Sequence, residues 1–307
     1  MPEPRMAHRS SRKSLGKLAA PYRVGDGAKF RLERVDPGDT GELESEGKAD
    51  AQQLLARGVE RLARLQEKLA AQAQWSLLLV FQAMDAAGKD GAIKHVMSGV
   101  NPQGCRVVSF KAPSREELAH DWLWRCVRVL PERGQIGIFN RSYYEEVLAV
   151  RVHRDLLETQ NLPGRLVTGK VWDQRYQDIR GFERHLARSG TVIRKFFLHV
   201  SKKEQKKRLL ERLDDPEKHW KFSENDARQR ASWADYMSAY EDMVRETASE
   251  SAPWFVVPAD RKWYTRLVVA AAIVDALEEL DLAFPEMPAG KKRALARARH
   301  ELMSEKS

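Results

Sequence analysis

Residues 76–91 read SLLLVFQAMDAAGKDG, and this stretch decides the fold. Its first part, Ser76–Met84, is a nearly continuous apolar run, which is typical of a β-strand covered on both faces. A short turn containing Gly88 and Lys89 follows, and a helical pattern begins there. In such a strand–loop–helix unit, backbone N–H groups and the helix N-terminus can surround a phosphate while the lysine neutralises it. We therefore predict a phosphate-binding loop over residues 83–91.

The loop departs at two positions from the usual phosphate-loop pattern, G-x-x-x-x-G-K-[ST]. Ala83 stands in place of the first glycine, and Asp90 stands in place of the hydroxyl residue that would contact Mg²⁺. The spacing alone therefore also fits a glycine-containing turn with a chance lysine. Asp85 would repel a phosphate in this loop unless a cation lay between them, so we assign it to Mg²⁺. A turn-forming role for Asp85 is the alternative.

A second set of polar residues stands at the end of a later apolar run, Gln135–Asn140. The run ends at Asn140, and Arg141 follows it directly. Ligands of open α/β sheets bind at the carboxyl ends of the strands, so these side chains are expected near the loop. In many proteins with such a loop an acidic residue ends this strand and faces the metal, whereas Asn140 offers a neutral oxygen. The predicted phosphate- or nucleotide-binding residues are Ala86, Ala87, Gly88, Lys89, Asp90, Gly91, Asn140 and Arg141.

Further apolar runs alternate with long helical patterns along the chain. The additional strand candidates are Cys105–Phe110, Val192–Val200 and Trp254–Val257. Several helical patterns open with the spacing of a capping box, namely Ser114–Glu117, Ser142–Glu145, Ser201–Glu204 and a shortened Ser223–Asp226. This alternation predicts an α/β fold with helices on both faces of a parallel sheet of about five strands.

One helical pattern precedes this alternation of strands and helices, and another follows the last strand. The pattern from Ala49 to Ala73 precedes the first strand, so we expect it to pack outside the sheet. The pattern from Lys262 to Leu280 is expected to bury one stripe formed by Leu267, Ala271, Val274 and Leu277.

Composition limits the class of protein. The chain has 307 residues with 53 Lys and Arg against 44 Asp and Glu, a formal charge of +9, which favours an anionic partner. Two cysteines exclude a disulfide framework and favour a reducing, cytoplasmic setting, and no apolar run suits a membrane span. We predict a basic N-terminal tail and lead-in over residues 1–45, one domain over 46–285, and a basic C-terminal tail over 286–307.

Positive charge is concentrated between Arg188 and Arg212, where only two glutamates oppose nine basic residues. Arg208 and Arg212 are four residues apart, so on a helix both point the same way. Lys221 adds another cation beside Trp220. A solvated helix face is the ordinary meaning of such a run. In a phosphate-binding fold, a helical lid over residues 202–225 is the alternative that we prefer.

With these features in place, the chain closely resembles the family-2 polyphosphate kinases. The resemblance covers roughly Ala49 to Phe284, in the same order throughout, and it makes Ala83 and Asp90 part of the family's own loop pattern. Many relatives carry Asp where this chain has Asn140, and the Asn-Arg-Ser version resembles the class that accepts both AMP and ADP. The matching stretches are Phe81–Lys94, Ser109–Ser114, Leu130–Pro131, Gly137–Glu145, Ile179–Glu183, Glu204–Arg208, His219–Ser223, Ala252–Val257 and Asp260–Trp263.

The resemblance implies a P-loop kinase core similar to thymidylate kinase, a helical lid, dependence on Mg²⁺ and inorganic polyphosphate as a substrate. The expected acceptors are adenine nucleotides, with guanine nucleotides as a further possibility. The reaction would be reversible transfer of a terminal phosphoryl group between polyphosphate and a nucleoside mono- or diphosphate. The attacking phosphate oxygen is already ionised near neutral pH, so no general base is needed.

Each candidate residue then has an expected role. Lys89 and the loop N–H groups would hold one phosphate chain, Asp85 would hold Mg²⁺, and Arg141 would stabilise charge on the transferring group. Arg208 and Arg212 would close from the lid. The predicted catalytic set is Asp85, Lys89, Arg141 and Arg208, and the predicted polyphosphate-binding set is Lys111, Arg125, Arg208, Arg212 and Lys221.

Two other functions fit parts of the sequence. An ATP-dependent nucleoside monophosphate kinase of the thymidylate-kinase type would share the core and would need no polyphosphate. A basic nucleic-acid-binding protein would account for the charge of +9 and for the basic tails. No nucleic-acid-reading module is visible, so we expect neither nucleic acid nor membrane as a partner. We expect a homo-oligomer.

Overall fold

A computed structural model describes residues 18–43, 48–221 and 229–305, and a single six-stranded sheet organises them. The strands lie in the order β1-β6-β5-β2-β4-β3. Their bounds are β1 Arg23–Val24, β2 Ser76–Gln82, β3 Cys105–Ser109, β4 Ile136–Asn140, β5 Thr191–His199 and β6 Trp254–Pro258.

The longer helices in the described part of the chain are α1 Lys48–Gln72, α2 Lys89–Val96, α3 Val171–Arg188, α4 Lys202–Leu213, α5 Trp233–Thr247, α6 Lys262–Glu278 and α7 Ala289–Ser304. Shorter α-helices cover Arg115–Leu118, Trp124–Val127, Ala149–Val152 and Asp155–Glu158. Short 3₁₀ helices cover Ala20–Tyr22, Leu32–Arg34, Pro102–Gly104, Tyr143–Val147, Gly164–Leu166 and Pro216–Lys221.

Strand β2 lies at the centre of the sheet and is parallel to both of its neighbours. Its residue Leu79 is opposite Ile138 of β4 and Arg194 of β5. All seven residues of β2 are buried, as the continuous apolar run predicts for a strand covered on both faces. The prediction of an α/β fold with a parallel sheet is therefore confirmed.

The predicted number of strands was one too low. The sixth strand, β1, has two residues and pairs antiparallel with β6, with Arg23 opposite Phe255. Two residues are too few to show either alternation or an apolar run, so the sequence pattern could not reveal this edge strand.

Helices cover both faces of the sheet. Arg194 and Lys195 follow one another on β5, so their side chains point to opposite faces. The Arg194 guanidinium donates to Glu279, just beyond α6, whereas the Lys195 ammonium donates to Glu183 of α3. On the first face, α6 packs against β5, β6 and the long helix α1. This position explains why α6 is buried around most of its circumference, well beyond the single predicted stripe.

The predicted capping boxes form to different extents. Ser114 makes the complete box at the start of its short helix. Ser201 accepts from the N–H of Glu204, but the Glu204 carboxylate bonds an arginine one turn later. Ser142 accepts from the N–H two residues on, because a 3₁₀ helix follows it, so the predicted box does not form. The shortened box at Ser223 lies outside the described residues.

The predicted basic C-terminal segment contains helix α7, whose described side chains are exposed throughout. In the part of the chain that the structure describes, no helix combines the length and the apolar character that a bilayer crossing would require.

Candidate active site

The predicted phosphate loop connects β2 to α2 at the carboxyl edge of the sheet. Gly88 immediately precedes α2 and has a φ of 110°, a left-handed conformation that glycine adopts at little cost. Ala86 also has a positive φ, of 62°. The first backbone hydrogen bond at the N-terminus of α2 runs from the N–H of Ala92 to the carbonyl of Gly88. The N–H groups of residues 89–91 precede that bond, which is the geometry of an anion site at a helix N-terminus.

Lys89 extends back beneath the loop. Its Nζ donates to the carbonyl of Ala83 at 2.7 Å and approaches that of Met84 at 3.4 Å. Burial lowers the pKa of Lys89, the Arg141 guanidinium lowers it further, and Asp85 opposes both effects. The ammonium therefore lies at the base of the cradle, where it supplies positive charge under the loop.

Asp85 and Arg141 face each other across the site. Arg141 Nη2 donates to Asp85 Oδ1 at 2.6 Å, and Arg141 Nη1 lies 3.8 Å from Glu145 Oε2. Burial favours the neutral form of Asp85, but the cations of Lys89 and Arg141 outweigh it and lower the pKa of the Asp85 carboxyl. Glu145 is the main reason that the pKa of Arg141 is raised. The two predicted catalytic groups are thus adjacent and both charged.

Asn140 and Asp90 are also brought together. Asn140 Nδ2 donates to Asp90 Oδ1 at 2.7 Å, which ties the end of β4 to the first turn of α2. The structure therefore joins the loop and the β4 terminus into one site, as expected from the parallel sheet.

The turn that carries Arg141 is held from below. Arg141 itself has a φ of 61°, which a non-glycine residue adopts only when its surroundings impose it. Its neighbour Ser142 accepts from Gln82 at 3.2 Å. The hydroxyls of Tyr143 and Tyr144 donate to Glu183 Oε1 at 2.9 and 2.7 Å, and Lys195 Nζ donates to Glu183 Oε2 at 2.7 Å. A buried ionic network thus anchors this turn to β5 and α3.

Arg208 occupies a different position from the one expected of a lid residue that reaches for phosphate. Its guanidinium donates to the carbonyls of Ala86 and Ala87 in the loop and to those of Ala259 and Asp260 after β6. Its Nε donates to Glu204 at 2.9 Å, and the residue is only 6% exposed. In this arrangement Arg208 joins α4 to the phosphate loop and to the end of β6.

The other predicted polyphosphate-binding residues are divided between the two flanks of the loop. On the β3 flank, Lys111 is exposed, and Arg125 lies over the Phe110 ring with Nη2 donating to the Lys111 carbonyl. On the other flank, Arg212 is half-buried and close enough to Asp85 to help lower its pKa. The side chain of Lys221 and residues 222–225 of the predicted lid lie outside the described residues.

Sequence reasoning missed three residues that shape the site. Gln205 is buried and donates to the Asp85 carbonyl at 3.0 Å. Burial raises the pKa of Tyr236 and so keeps its hydroxyl neutral, with Glu145 and Asp85 acting in the same direction. Glu145, taken from sequence as a capping residue, instead approaches Arg141. Only the position of Glu145 four residues after Arg141 could have indicated a role here.

The residues present suit a magnesium ion that is held mainly by phosphate. The described ranges contain no group of three or more His, Cys, Asp or Glu side chains that could enclose a metal. Mg²⁺ commonly binds one or two carboxylates together with substrate phosphates and water, and the ionised Asp85 carboxylate beside the loop fits that requirement. The donor set therefore accommodates the ion without a preformed protein cage.

The fold and the site define a phosphotransferase with a P-loop kinase-like core. A family model described as Polyphosphate kinase 2 (PPK2) matches residues 45–285. The chain belongs to the polyphosphate kinase 2 family, which confirms the resemblance seen in the sequence.

Named relatives and solved structures agree with this assignment. The chain is 51% identical to the ADP-polyphosphate phosphotransferase of Rhodopseudomonas palustris, over 92% of this chain and 97% of the relative. It is 49% identical to the AMP/ADP-polyphosphate phosphotransferase of Meiothermus ruber, over 86% of this chain and 95% of the relative. The crystal structure of polyphosphate kinase 2 from Arthrobacter aurescens matches with a TM-score of 0.82 and 44% identity, over 92% and 96% of the two chains.

Proposed function

We propose that this enzyme transfers the terminal phosphoryl group of polyphosphate to AMP and ADP, reversibly and with Mg²⁺. The observation that carries the proposal is the cluster of Lys89, Asp85 and Arg141 at the phosphate loop. Lys89 donates to a carbonyl of the loop, and Arg141 donates to the carboxylate of Asp85. The names of the relatives from Rhodopseudomonas palustris and Meiothermus ruber support the choice of acceptors.

The reaction asks the protein mainly to align two polyanions. The attacking group is an ionised phosphate oxygen, so the site needs no general base and has only to position the reactants and neutralise charge. Two unit charges 4 Å apart repel by about 4 kcal/mol at an effective dielectric near 20. The ammonium of Lys89, the guanidinium of Arg141 and the free N–H groups of α2 provide the compensating charge.

Asp85 would hold Mg²⁺ in this proposal. When bound, the ion would neutralise negative charge shared by the donor and acceptor phosphates. Because Arg141 bonds Asp85 in the described structure, we propose that Arg141 turns from Asp85 to the transferring phosphoryl group when substrates bind. Lys111 and Arg125 would line one approach to the loop, and Arg212 and Lys221 the other.

The proposal extends to further partners and to the place of action. Guanine nucleotides are further candidate acceptors, and a homo-oligomer is the expected assembly, with no role for nucleic acid. Both cysteines are free in the structure, consistent with the reducing cytoplasm that we propose as the site of action.

The test is a direct phosphotransfer assay. Purified protein with Mg²⁺, polyphosphate and either AMP or ADP, but no ATP, should yield ADP and ATP over time. An ATP-dependent nucleoside monophosphate kinase would give no product from AMP under these conditions. Tight, salt-sensitive binding of DNA or RNA without phosphotransfer would instead support the nucleic-acid-binding alternative.

A further inference from the structure

Tyr236 has a buried hydroxyl group that no other group satisfies in the described part of the chain. The residue lies in the first turn of α5 and is 4% exposed, and its Oη makes no hydrogen bond to any described residue. A buried polar group without a partner costs free energy, and native proteins rarely keep one. The Tyr236 hydroxyl is therefore expected to gain a partner in another state of the enzyme.

The position of the Tyr236 ring is fixed by its neighbours. The ring of His153 meets it edge to face, with centroids 5.9 Å apart and planes inclined at 63°. One turn further along α5, Tyr240 stacks on Phe197 of β5 with 4.2 Å between the centroids, which holds this part of the helix on the sheet. The hydroxyl hydrogen can rotate about its C–O bond, whereas the buried ring has little freedom to move.

Glu145 is the charged group that acts most strongly on Tyr236. After burial, Glu145 is the largest influence on the pKa of Tyr236, ahead of Asp85 and Arg141. The Glu145 carboxylate is itself loosely held: its Oε2 lies 3.8 Å from Arg141 Nη1, which is beyond hydrogen-bond length. Within the described ranges the Glu145 side chain makes no hydrogen bond. The same part of the site thus contains a donor without an acceptor and an acceptor without a donor.

The proposed reaction requires the carboxylates around Arg141 to release it. Arg141 bonds Asp85 at 2.6 Å and attracts Glu145, and both interactions draw the guanidinium away from a phosphate. Asp85 is assigned to Mg²⁺ in the proposed function. Glu145 needs another donor, because a partly buried carboxylate that loses its cation without a replacement opposes the change.

We propose that the Tyr236 hydroxyl donates a hydrogen bond to Glu145 when Arg141 turns to the transferring phosphoryl group. Tyr236 is then a positioning residue, because it touches neither substrate and acts through Glu145 on Arg141. The inference rests on the proposed function and supplies the exchange of partners that the movement of Arg141 requires. In the substrate-free enzyme the hydroxyl has no described partner to lose. In the reacting enzyme its removal leaves Glu145 in competition with phosphate for Arg141.

The test is Tyr236→Phe, which removes one oxygen and keeps the ring. The Tm of the substrate-free protein should equal that of the parent or rise slightly, because an unpaired buried hydroxyl is removed. For transfer from polyphosphate to AMP, kcat should fall about 10- to 100-fold, the value of a hydrogen bond to a charged group. KM for AMP and KM for polyphosphate should each stay within about twofold of the parent value, because the bond forms only as Arg141 moves.

Tyr176→Phe is the matched control. Tyr176 is as buried as Tyr236, at 4% exposure, but its hydroxyl accepts from Arg151 Nη1 at 2.7 Å. Loss of this bond should lower Tm by about 2–4 °C and leave kcat unchanged. The two variants delete the same atom from the same residue type, so opposite patterns of stability and activity would separate positioning from a structural role.

A double-mutant cycle with Glu145→Gln shows whether the effect passes through Glu145. A glutamine carries no charge that competes for Arg141, so adding Tyr236→Phe to Glu145→Gln should change kcat by less than about twofold. An equal fall of kcat in both backgrounds would remove Glu145 from the sequence of contacts and overturn the inference.

Three results with the single variant would also overturn it. The first is a parent-like kcat, and the second is a fall in Tm like that of Tyr176→Phe, which would reveal a structural hydrogen bond. The third is a selective rise in KM for AMP, which would place the hydroxyl on the acceptor nucleotide. A parent enzyme with no polyphosphate turnover would contradict the proposed function and this inference together, whereas an active parent with an unaltered Tyr236→Phe would contradict the inference alone.

Discussion

The buried ion pair between Lys195 and Glu183 offers a sharp test of how the Arg141 turn is held. Both side chains are almost inaccessible, at 0% and 3% exposure. Lys195 Nζ donates to Glu183 at 2.7 Å, to Tyr144 at 3.0 Å and to the Thr247 carbonyl at 2.8 Å. We predict that Lys195→Met is strongly destabilising because, within the described residues, it leaves the buried Glu183 carboxylate with the hydroxyls of Tyr143 and Tyr144 as its partners.

The magnitude follows from the geometry of the pair. At 2.7 Å and an effective dielectric near 20, the attraction is about 6 kcal/mol, which roughly offsets the several kcal/mol that each ion loses on leaving water. Intact, the pair therefore contributes little net stability. Removing one partner loses the attraction but keeps the desolvation of the other, so the expected loss is about 3–5 kcal/mol, or roughly 6–10 °C in Tm.

Urea denaturation of four proteins measures this effect: the parent, Lys195→Met, Glu183→Leu and the double variant. Each single variant should lose about 3–5 kcal/mol, and the double variant should recover at least about 2 kcal/mol relative to the sum of the singles. Strictly additive losses, or a single variant within about 1 kcal/mol of the parent, would refute the coupling. Such a result would mean that packing, and not charge, holds the Arg141 turn.

Three further predictions concern the site itself. Lys89→Met should lower kcat by about 10²–10³ with far-UV circular dichroism unchanged, because it removes the charge beneath the loop, and parent-like turnover would refute the cradle assignment. Asp85→Asn should raise the Mg²⁺ concentration needed for activity. The pKa of Asp85 is lower in the folded protein than its value near 3.9 in the unfolded chain, so the ionised carboxylate stabilises the fold at pH values above 3.9. The difference in Tm between the parent and Asp85→Asn should therefore be largest at neutral pH and disappear as the pH falls through the pKa of the folded protein. A difference that stays constant with pH would contradict this sign. Arg208→Lys should cost about 3 kcal/mol and lower kcat while leaving polyphosphate KM nearly unchanged, because the guanidinium bonds loop carbonyls; a selective rise in that KM would return Arg208 to the substrate.

The fold was predictable from sequence because its central strands are covered on both faces. Ser76–Gln82 and Trp254–Pro258 are continuous apolar runs whose residues are all buried, so their pattern carries the architecture. The juxtaposition of Asn140, Arg141 and the loop also followed, since parallel strands bring their carboxyl ends to one edge. The strand Arg23–Val24 and the 3₁₀ helix after Ser142 depend on tertiary contacts, and no local sequence pattern predicted them.

The roles of the basic residues were harder to predict, because a count of charges does not show whether each side chain points into the protein or towards the solvent. Arg194, Lys195 and Arg208 all belong to the basic run before Arg212, yet they are 7%, 0% and 6% exposed. Arg194 and Lys195 lie on a central strand, and Arg208 lies on the inner side of α4. Each of these three has carboxylate or carbonyl partners within the protein, so this part of the run stabilises the fold.

The positive charge that remains for substrate therefore has a different source. Arg261, which precedes α6, and Lys262 and Arg266 in its first turns lie outside the long basic run, and they lack carboxylate partners in the described part of the chain. Salt screens exposed charges strongly and buried pairs weakly. The salt dependence of polyphosphate KM should accordingly respond to changes at Lys262 and Arg266, whereas a change at Lys195 should alter stability and leave that salt dependence as it is.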